Sequence, residues 1–155
     1  MKSIILNVFY LFFFASSSCD KSNPIQNQSH EKSSNTNTKN SLMKIKIGTK
    51  TFEATLYDTE TVIAFKAMMP LSINMVELNG NEKYANLKDN LPVNSLNPKT
   101  IQNGDLMIYG SNTLVLFYKT FSTPYSYAKL GSITDTTGLA EALGSDNILI
   151  SIELN

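Results

Sequence analysis

The sequence predicts a mainly β protein with two short helices, whose strands close into a small β-barrel. Short apolar runs with two-residue alternation recur along residues 43–155, and turn residues separate them. Helical spacing occurs in only two stretches of this part of the chain. Closure into a barrel, with the helices covering its open ends, suits so many short strands because it removes exposed strand edges.

The first residues have the pattern of a secretory signal. Lys2 is basic, residues 4–15 form an apolar run that only Asn7 interrupts, and serines 16–18 follow. The apolar run is shorter than the roughly 20 residues that a membrane-spanning helix needs. We therefore expect residues 1–18 to be a signal peptide that is removed.

Cys19 is the only cysteine and directly follows the serines. This arrangement resembles a bacterial lipoprotein signal, in which the thiol is acylated and the chain is cut just before it. The resemblance implies a membrane partner through the lipid anchor and a location in the bacterial cell envelope, either periplasmic or surface-exposed. Asp20 is compatible with both locations. The alternative is a secreted protein with one free thiol, since no second cysteine could form an internal disulfide.

Residues 19–42 are expected to form the lipidated cysteine and a disordered tether. Beyond Cys19 the segment is dominated by Ser, Asn, Lys and Gln, and it has almost no apolar side chains. Such a composition cannot bury enough surface to offset the entropy lost on ordering. The lone histidine, His30, lies here, so we expect it to be solvated and not a metal ligand.

The remaining residues, 43–155, have the size of one domain. Nine lysines and eleven acidic residues give this domain a net charge of −2. A nucleic-acid-binding protein needs clustered cations for its phosphate contacts. The sequence therefore predicts no nucleic-acid partner, and the oligomeric state stays open.

The first predicted elements are a hairpin and a helix. Residues 44–47 and 51–57 alternate as two strands, and Gly48 begins the turn between them. Asp58 and Thr59 are residue types that cap helices, and apolar residues then recur at helical spacing until Pro70. The sequence thus predicts one amphipathic helix after the hairpin.

The middle of the chain is less uniform. Residues 72–78 alternate as a strand, with Leu78 among the apolar members, and the turn Asn79-Gly80-Asn81 follows. Residues 83–96 are ambiguous, and Tyr84 with Leu87 could form either a short strand or part of a loop.

A second hairpin is the clearest in the chain. Residues 106–109 and 113–118 are both strand-like and flank the turn Gly110-Ser111-Asn112. Neither face of the second strand is polar before Lys119, so this strand is predicted to be covered on both sides.

The last predicted elements are a strand, a helix and a strand. Residues 128–133 are the first strand, and residues 148–154 close the chain as the second. Between them, Thr136 or Thr137 is expected to cap a short helix over residues 139–143.

Aromatic residues mark the candidate binding site. Phe121, Tyr125 and Tyr127 lie in a connection rich in Ser, Thr and Pro, where no periodic pattern requires burial. Rings with polar tips suit contact with a peptide or a small ligand, and we expect these three to contact one. Tyr84 and Met107 are further candidates for the same wall. Alternatively, the connection folds back and plugs one end of the barrel.

Several segments together resemble a known family. They are the Met-Met-Pro end of the first helix, the segment EKYANL, and the run GDLMIYGSNTLVLFYKTFSTPYSYAKLGSITDTTGLAEALG. This order is similar to the bacterial cyclophilin-like fold domain, a family of small stand-alone barrels often found behind lipoprotein signals. The resemblance covers nearly all of residues 43–155 and implies a closed cyclophilin-like β-barrel. It implies no activity, because one fold hosts many functions.

Prolyl isomerases of the cyclophilin family resemble one another in an arginine that donates hydrogen bonds to the twisting X-Pro amide. This chain contains no arginine and no tryptophan, and residues 43–155 contain no histidine. Lowering a rotation barrier of about 18–20 kcal/mol requires a donor or a desolvated pocket matched to the twisted amide. We therefore expect non-catalytic ligand binding, with a weak peptidyl-prolyl isomerase that relies on desolvation as the alternative.

Other catalytic sites have few candidate residues. Residues 43–155 contain no His or Cys for a nucleophilic triad or a zinc site. The pairs Asp58 with Glu60 and Asp135 with Asp146 could form an acid–base pair or a calcium site. We interpret Asp58 instead as a helix cap, Glu60 as the complement of the helix dipole, Asp135 as a residue before the second cap, and Asp105 as a turn residue. We expect no catalytic residue, no metal and no cofactor.

Overall fold

The computed structural model describes residues 42–155, and residues 1–41, with Cys19 and His30, lie outside the described residues. The described part contains ten strands and two helices. In chain order they are β1 (Leu42–Ile47), β2 (Lys50–Leu56), α1 (Glu60–Lys66), β3 (Leu71–Leu78), β4 (Glu82–Asn86), β5 (Thr100–Ile101), β6 (Asp105–Tyr109), β7 (Thr113–Phe117), β8 (Phe121–Ser122), β9 (Tyr127–Ile133), α2 (Leu139–Leu143) and β10 (Ile148–Leu154).

Eight of these strands form a closed antiparallel barrel in the order β1-β10-β3-β4-β7-β6-β9-β2. The short strands β5 and β8 pair with each other outside the barrel. The predicted fold class, a mainly β protein with two helices and a closed barrel, is confirmed.

The barrel interior is filled by one apolar cluster. Alternate residues of a strand point to the same face of a sheet, and the inward-pointing members are almost completely buried. The fully buried ones include Met43, Ile45, Leu106, Ile108, Leu114, Leu116, Leu130, Ile150 and Ile152. Both helices add to this cluster, with Val62 and Phe65 from α1 and Leu139 and Leu143 from α2.

A second apolar cluster covers the outer face of the barrel wall. It contains the buried residues Ile101, Met107, Val115, Phe117 and Tyr127, with Tyr84 and Phe121 packed against them. Within β7, Leu114 and Leu116 belong to the interior cluster, whereas Val115 and Phe117 belong to the outer one. The prediction that this strand is covered on both sides is confirmed.

Of the two predicted helix N-caps, the structure confirms only that of α1. Thr59 is the N-cap of α1, and its side-chain oxygen accepts a hydrogen bond of 3.2 Å from the amide of Val62. The N-cap of α2 is Gly138, without a side-chain cap bond, so the prediction of Thr136 or Thr137 was wrong. Asp135 accepts a 2.9 Å bond from the amide of Thr137, which forms a local turn before the helix.

Two further features differ from the sequence interpretation. The ambiguous segment contains strand β4, and Leu87 is buried directly after it. Leu78, expected among the alternating apolar residues, is 39% exposed, because the inward place beside it is taken by Glu77. The carboxylate of Glu77 lies 2.6 Å from the buried ammonium of Lys83, which explains why a polar residue occupies that place.

Candidate binding groove

The groove floor is the outer face of four neighbouring strands. On β4, alternation turns Glu82, Tyr84 and Asn86 outward. Asn86 pairs with Thr113 of β7, Thr113 pairs with Tyr109 of β6, and Tyr109 pairs with Tyr127 of β9. Residues from distant parts of the chain therefore form one continuous row across the sheet.

The segment from Phe121 to Tyr125 forms the side wall, and backbone bonds fix its position. Strand β8 pairs with β5, and the amide of Thr123 donates a 3.0 Å bond to the carbonyl of Lys99. The side-chain amide of Asn97 donates a 2.8 Å bond to the carbonyl of Pro124. Since backbone atoms make these contacts, the side chains of Phe121 and Tyr125 remain available to line the groove.

This placement excludes the end-plug alternative for the connection. Phe121 packs on the outer cluster, with its ring 5.8 Å from that of Phe117. The connection thus covers the side of the barrel and does not close an end.

The rings of the groove pack at steep angles to one another. The centroids of Tyr109 and Tyr125 are 6.1 Å apart with an interplanar angle of 84°, and those of Tyr109 and Tyr127 are 5.6 Å apart at 52°. Tyr109 is 47% exposed and Tyr125 is 57% exposed. Two large aromatic surfaces with different orientations are therefore open to solvent at one place.

The groove has a volume of about 500 Å³. Its lining combines aromatic rings with amide and hydroxyl groups. The lining residues are Leu78, Asn79, Asn81, Glu82, Tyr84, Asn86, Tyr109, Thr113, Val115, Phe121, Ser122, Thr123, Pro124, Tyr125 and Tyr127. A concave site with a few polar groups among apolar ones is typical of ligand pockets.

Four of the five residues proposed from the sequence line this groove, namely Tyr84, Phe121, Tyr125 and Tyr127. Met107 is only 1% exposed and lies in the outer cluster beneath the groove, because it neighbours Val115 in the strand pairing.

Sequence reasoning missed the other polar and aromatic lining residues, above all Tyr109, Asn81 and Glu82. Tyr109 precedes the Gly110 turn, and its signal was an aromatic ring at a strand end. For Glu82 no local signal existed, because only the pairing of β4 with β7 places this carboxylate beside the aromatic segment.

Burial changes the acid–base properties of two groove residues. Partial burial, with the nearby charge of Glu77, raises the pKa of Glu82 above its usual value. Burial also raises the pKa of Tyr127, so its phenol stays protonated well above neutral pH. Glu82 is therefore the one carboxylate of the groove lining, and it is protonated more readily than an exposed glutamate.

A polar network lies on the inner side of the same wall. The ammonium of Lys83, which is completely buried, donates bonds of 2.9 Å to the carbonyl of Gly144 and 2.7 Å to that of Asp146. It also lies 2.6 Å from Oε2 of Glu77, whose Oε1 accepts a 2.8 Å bond from the hydroxyl of Tyr118. Oε2 accepts no hydrogen bond, and the positive charge of Lys83 compensates its negative charge.

The network shifts two pKa values in opposite directions. Burial acts to raise the pKa of Glu77, but contacts from Lys83, Tyr118 and the amide of Gly80 outweigh burial and lower it. Burial and the bond to Glu77 raise the pKa of Tyr118 to about 12. Glu77 is thus held ionised and Tyr118 protonated, which suits a structural ion pair.

A second cleft, of about 760 Å³, adjoins the groove at Tyr127. The N-terminus of α1 and the loop 92–98 form its walls, with exposed Tyr57 and Leu96. Leu96 and Tyr127 exchange two backbone bonds of 3.0 Å, and this bridge lies at the border between the two cavities. The cleft is larger than the groove, but it lacks the cluster of facing rings.

Within residues 42–155, no group of three or more His, Cys, Asp or Glu side chains is arranged to hold a metal ion. In the same part of the chain, no helix has the length and apolar character to cross a membrane. Asp105 has a structural role, because its carboxylate accepts a 2.8 Å bond from the amide of Gln102 in the turn before β6.

Comparisons with known proteins agree with the barrel. The solution structure of a hypothetical protein from Archaeoglobus fulgidus superposes with a TM-score of 0.52 at 18% identity, covering 76% of this chain and 97% of that one. At that identity the likeness shows the fold alone. No curated protein matches the sequence. Residues 45–153 match the cyclophilin-like family, and the chain therefore belongs to that family.

Proposed function

We propose that this protein is a lipid-anchored protein of the bacterial cell envelope whose cyclophilin-like barrel binds a peptide or small ligand in the aromatic groove without altering it chemically. The observation that carries the proposal is the convergence of Tyr84, Tyr109, Phe121, Tyr125 and Tyr127 on one groove. Rigid aromatic side chains provide a large contact area at low entropic cost, which suits reversible binding.

The chemistry of the groove supports binding over catalysis. The whole chain lacks arginine, and its single cysteine and histidine precede the barrel. The ionisable groups of the groove are Glu82 and tyrosines, and the ammonium of Lys83 is directed into the barrel interior. The groove lining therefore offers no imidazole, thiol or guanidinium group, on which most nucleophilic catalysis and the cyclophilin-type isomerisation depend.

The binding proposal is tested by NMR of the full chain with isotope-labelled tyrosines. The chain has seven tyrosines, so each signal can be assigned by single substitution. Titration with peptide and metabolite libraries is expected to yield a ligand that shifts Tyr84, Tyr109 and Tyr125. Tyr57, which lines the other cleft, is the internal control. Libraries that shift none of the three groove signals, or ligands that shift Tyr57 alone, would contradict the proposal.

A protease-coupled assay on an X-Pro peptide separates binding from isomerase activity. We expect the rate with the protein to equal the uncatalysed rate. A rate that rises in proportion to protein concentration would support the weak prolyl isomerase instead and would reject the non-catalytic proposal.

The anchor is tested separately by metabolic labelling with radioactive palmitate in a bacterial host. The proposal predicts that the wild-type chain incorporates label and that a Cys19→Ala variant does not. Equal labelling of the two chains, or none in either, would reject acylation at Cys19 and leave the groove proposal untouched.

A further inference from the structure

The charge of the groove restricts the ligand that fits it. Glu82 is the only charged side chain among the residues that line the groove. Its neighbour Lys83 points to the opposite face of β4, where two backbone carbonyls and Glu77 hold the ammonium. Between residues 42 and 155 the ion pairs are Lys50 with Glu141 and Lys83 with Glu77, and neither includes Glu82. The groove therefore presents a negative charge without a cationic partner.

The aromatic residues of the groove also favour a cationic ligand. The face of an aromatic ring is the negative side of its quadrupole and attracts a cation that lies over it. Tyr109 and Tyr125 are nearly perpendicular and about half exposed, so ring faces of two orientations border one space. Tyr84, Phe121 and Tyr127 line the same space. The rings nearest to the carboxylate are those of Tyr84, which follows Glu82 on the same face of β4, and of Phe121, which packs on Phe117, the cross-strand partner of Glu82. These rings beside one carboxylate are a suitable environment for an organic cation.

A cationic ligand would stabilise the ionised form of Glu82. Its partial burial and the nearby charge of Glu77 disfavour the carboxylate, as the raised pKa shows. A bound cation would compensate this charge, whereas a neutral ligand would bury it further. An anionic ligand would add repulsion, because the groove offers no cation to receive it.

The size of the groove favours a small molecule. Its volume of about 500 Å³ lies in the range of small-molecule sites. The amides of Asn79 and Asn81 and the hydroxyl of Thr113 add polar positions along the same lining.

We propose that the groove binds a small alkylammonium compound, with the ammonium group at the carboxylate of Glu82 and beside the rings of Tyr84 and Phe121. This inference rests on the proposed function and specifies the ligand class of the same groove.

The test compares choline with 3,3-dimethylbutan-1-ol, its neutral isostere, on the tyrosine-labelled full chain. The two compounds have the same shape and hydroxyl group, and only the charge differs. We expect choline to shift the signal of Tyr84 with an affinity at least about tenfold above that of the isostere, as expected for cation–π contact combined with ion pairing.

A Glu82→Gln variant is expected to reduce choline affinity at least about fivefold and to leave the affinity for the isostere unchanged, since only the cation uses the charge. The unchanged isostere titration also shows that the variant is folded. Glu153→Gln is the matched control, because Glu153 is an exposed residue of β10, outside the groove lining. It should leave both titrations unchanged.

The remaining outcomes separate this inference from the proposed function. Equal affinities for choline and the isostere would reject the ligand class and support a neutral ligand in the same groove. A lysine-containing peptide that binds while choline does not would reject the small-molecule ligand and retain the groove. Choline shifts confined to Tyr57 would place binding in the other cleft and reject the inference. If neither these probes nor the libraries shift the groove signals, the proposed function fails together with the inference.

Discussion

Replacement of Lys83 by methionine should destabilise the barrel strongly. The side chain is completely buried, and its ammonium is bonded to the carbonyls of Gly144 and Asp146 and paired with Glu77. Methionine has a similar length and fills most of the volume. The substitution therefore removes the charge and its three contacts without creating a large cavity.

The expected loss of stability follows from the groups that Lys83→Met leaves without a partner. Glu77 would keep its bonds from Tyr118 and Gly80 but lose its counter-ion, and two carbonyls would lose their donor. Removal of one partner of a buried ion pair costs about 3–5 kcal/mol, and we expect the lower end of this range because the side chain of Glu77 is still 20% exposed. For a domain of this size that loss lowers the melting temperature by on the order of 10–20 °C. Since small domains have about 5–15 kcal/mol of stability, the variant should still fold at low temperature.

The assay is urea unfolding followed by far-UV circular dichroism, as the chain has no tryptophan. Lys46→Met is the matched control, because Lys46 is an exposed residue of β1 and its loss should change stability by less than about 0.5 kcal/mol. The double variant Lys83→Met/Glu77→Gln should be less destabilised than the sum of the two single variants, which measures their coupling. A Lys83→Met loss below about 1 kcal/mol, or strict additivity, would refute the account of this network.

Two further predictions concern the barrel. In Gly131→Ala the new Cβ would collide with the carbonyl oxygen of Thr55 on the paired strand, so we expect urea unfolding to show a loss of about 1–3 kcal/mol. Ser132→Ala, the control at the next residue, should change stability by less than about 0.5 kcal/mol. Equal stability of the two variants would contradict the close approach of β2 and β9. Glu77 has a pKa lowered from 4.5, so its contribution to stability is complete above that value and is lost as the pH falls through the lowered pKa. Urea titrations between about pH 5 and pH 3 should therefore show a smaller loss of stability in Glu77→Gln than in the wild type, and an identical loss would mean that Glu77 is not held ionised by the fold.

Regular periodicity and turn residues were enough to predict most of the barrel. The β6–β7 hairpin followed from two strand-like runs around a glycine turn, and the double burial of β7 followed from the absence of a polar face. The helix after Thr59 was equally clear from its cap and its apolar spacing.

Other elements could not be predicted, because the sequence around them shows no pattern typical of their structure. Strand β4 places Lys83 inside the barrel and Tyr84 outside, which inverts the usual pattern, because a lysine is seldom buried unless it is paired. Its partners, Glu77 and two carbonyls after α2, are distant in sequence. Strands β5 and β8 have two residues each and are too short to show any period.

Only part of the binding groove could be predicted, because some of its residues are brought together by strand pairing alone. The ring cluster of Phe121, Tyr125 and Tyr127 stands close together in the sequence, so it could be identified as one site. Glu82 and Tyr109 join it only through the strand order β4-β7-β6-β9, which no local pattern contains.

The most direct test of the account is the affinity of a Tyr125→Ser variant for a ligand identified by the NMR titration, measured by calorimetry. Tyr125 is 57% exposed, so its loss should leave the fold stable but remove a main contact surface of the groove. Tyr57→Ser is the control, because Tyr57 is 45% exposed and lines the other cleft. We predict at least about tenfold weaker binding for Tyr125→Ser, wild-type affinity for Tyr57→Ser, and recovery of the ligand unchanged after prolonged incubation. Wild-type affinity in Tyr125→Ser, or conversion of the ligand by the protein, would contradict the claim that this barrel holds its ligand in the aromatic groove without chemistry.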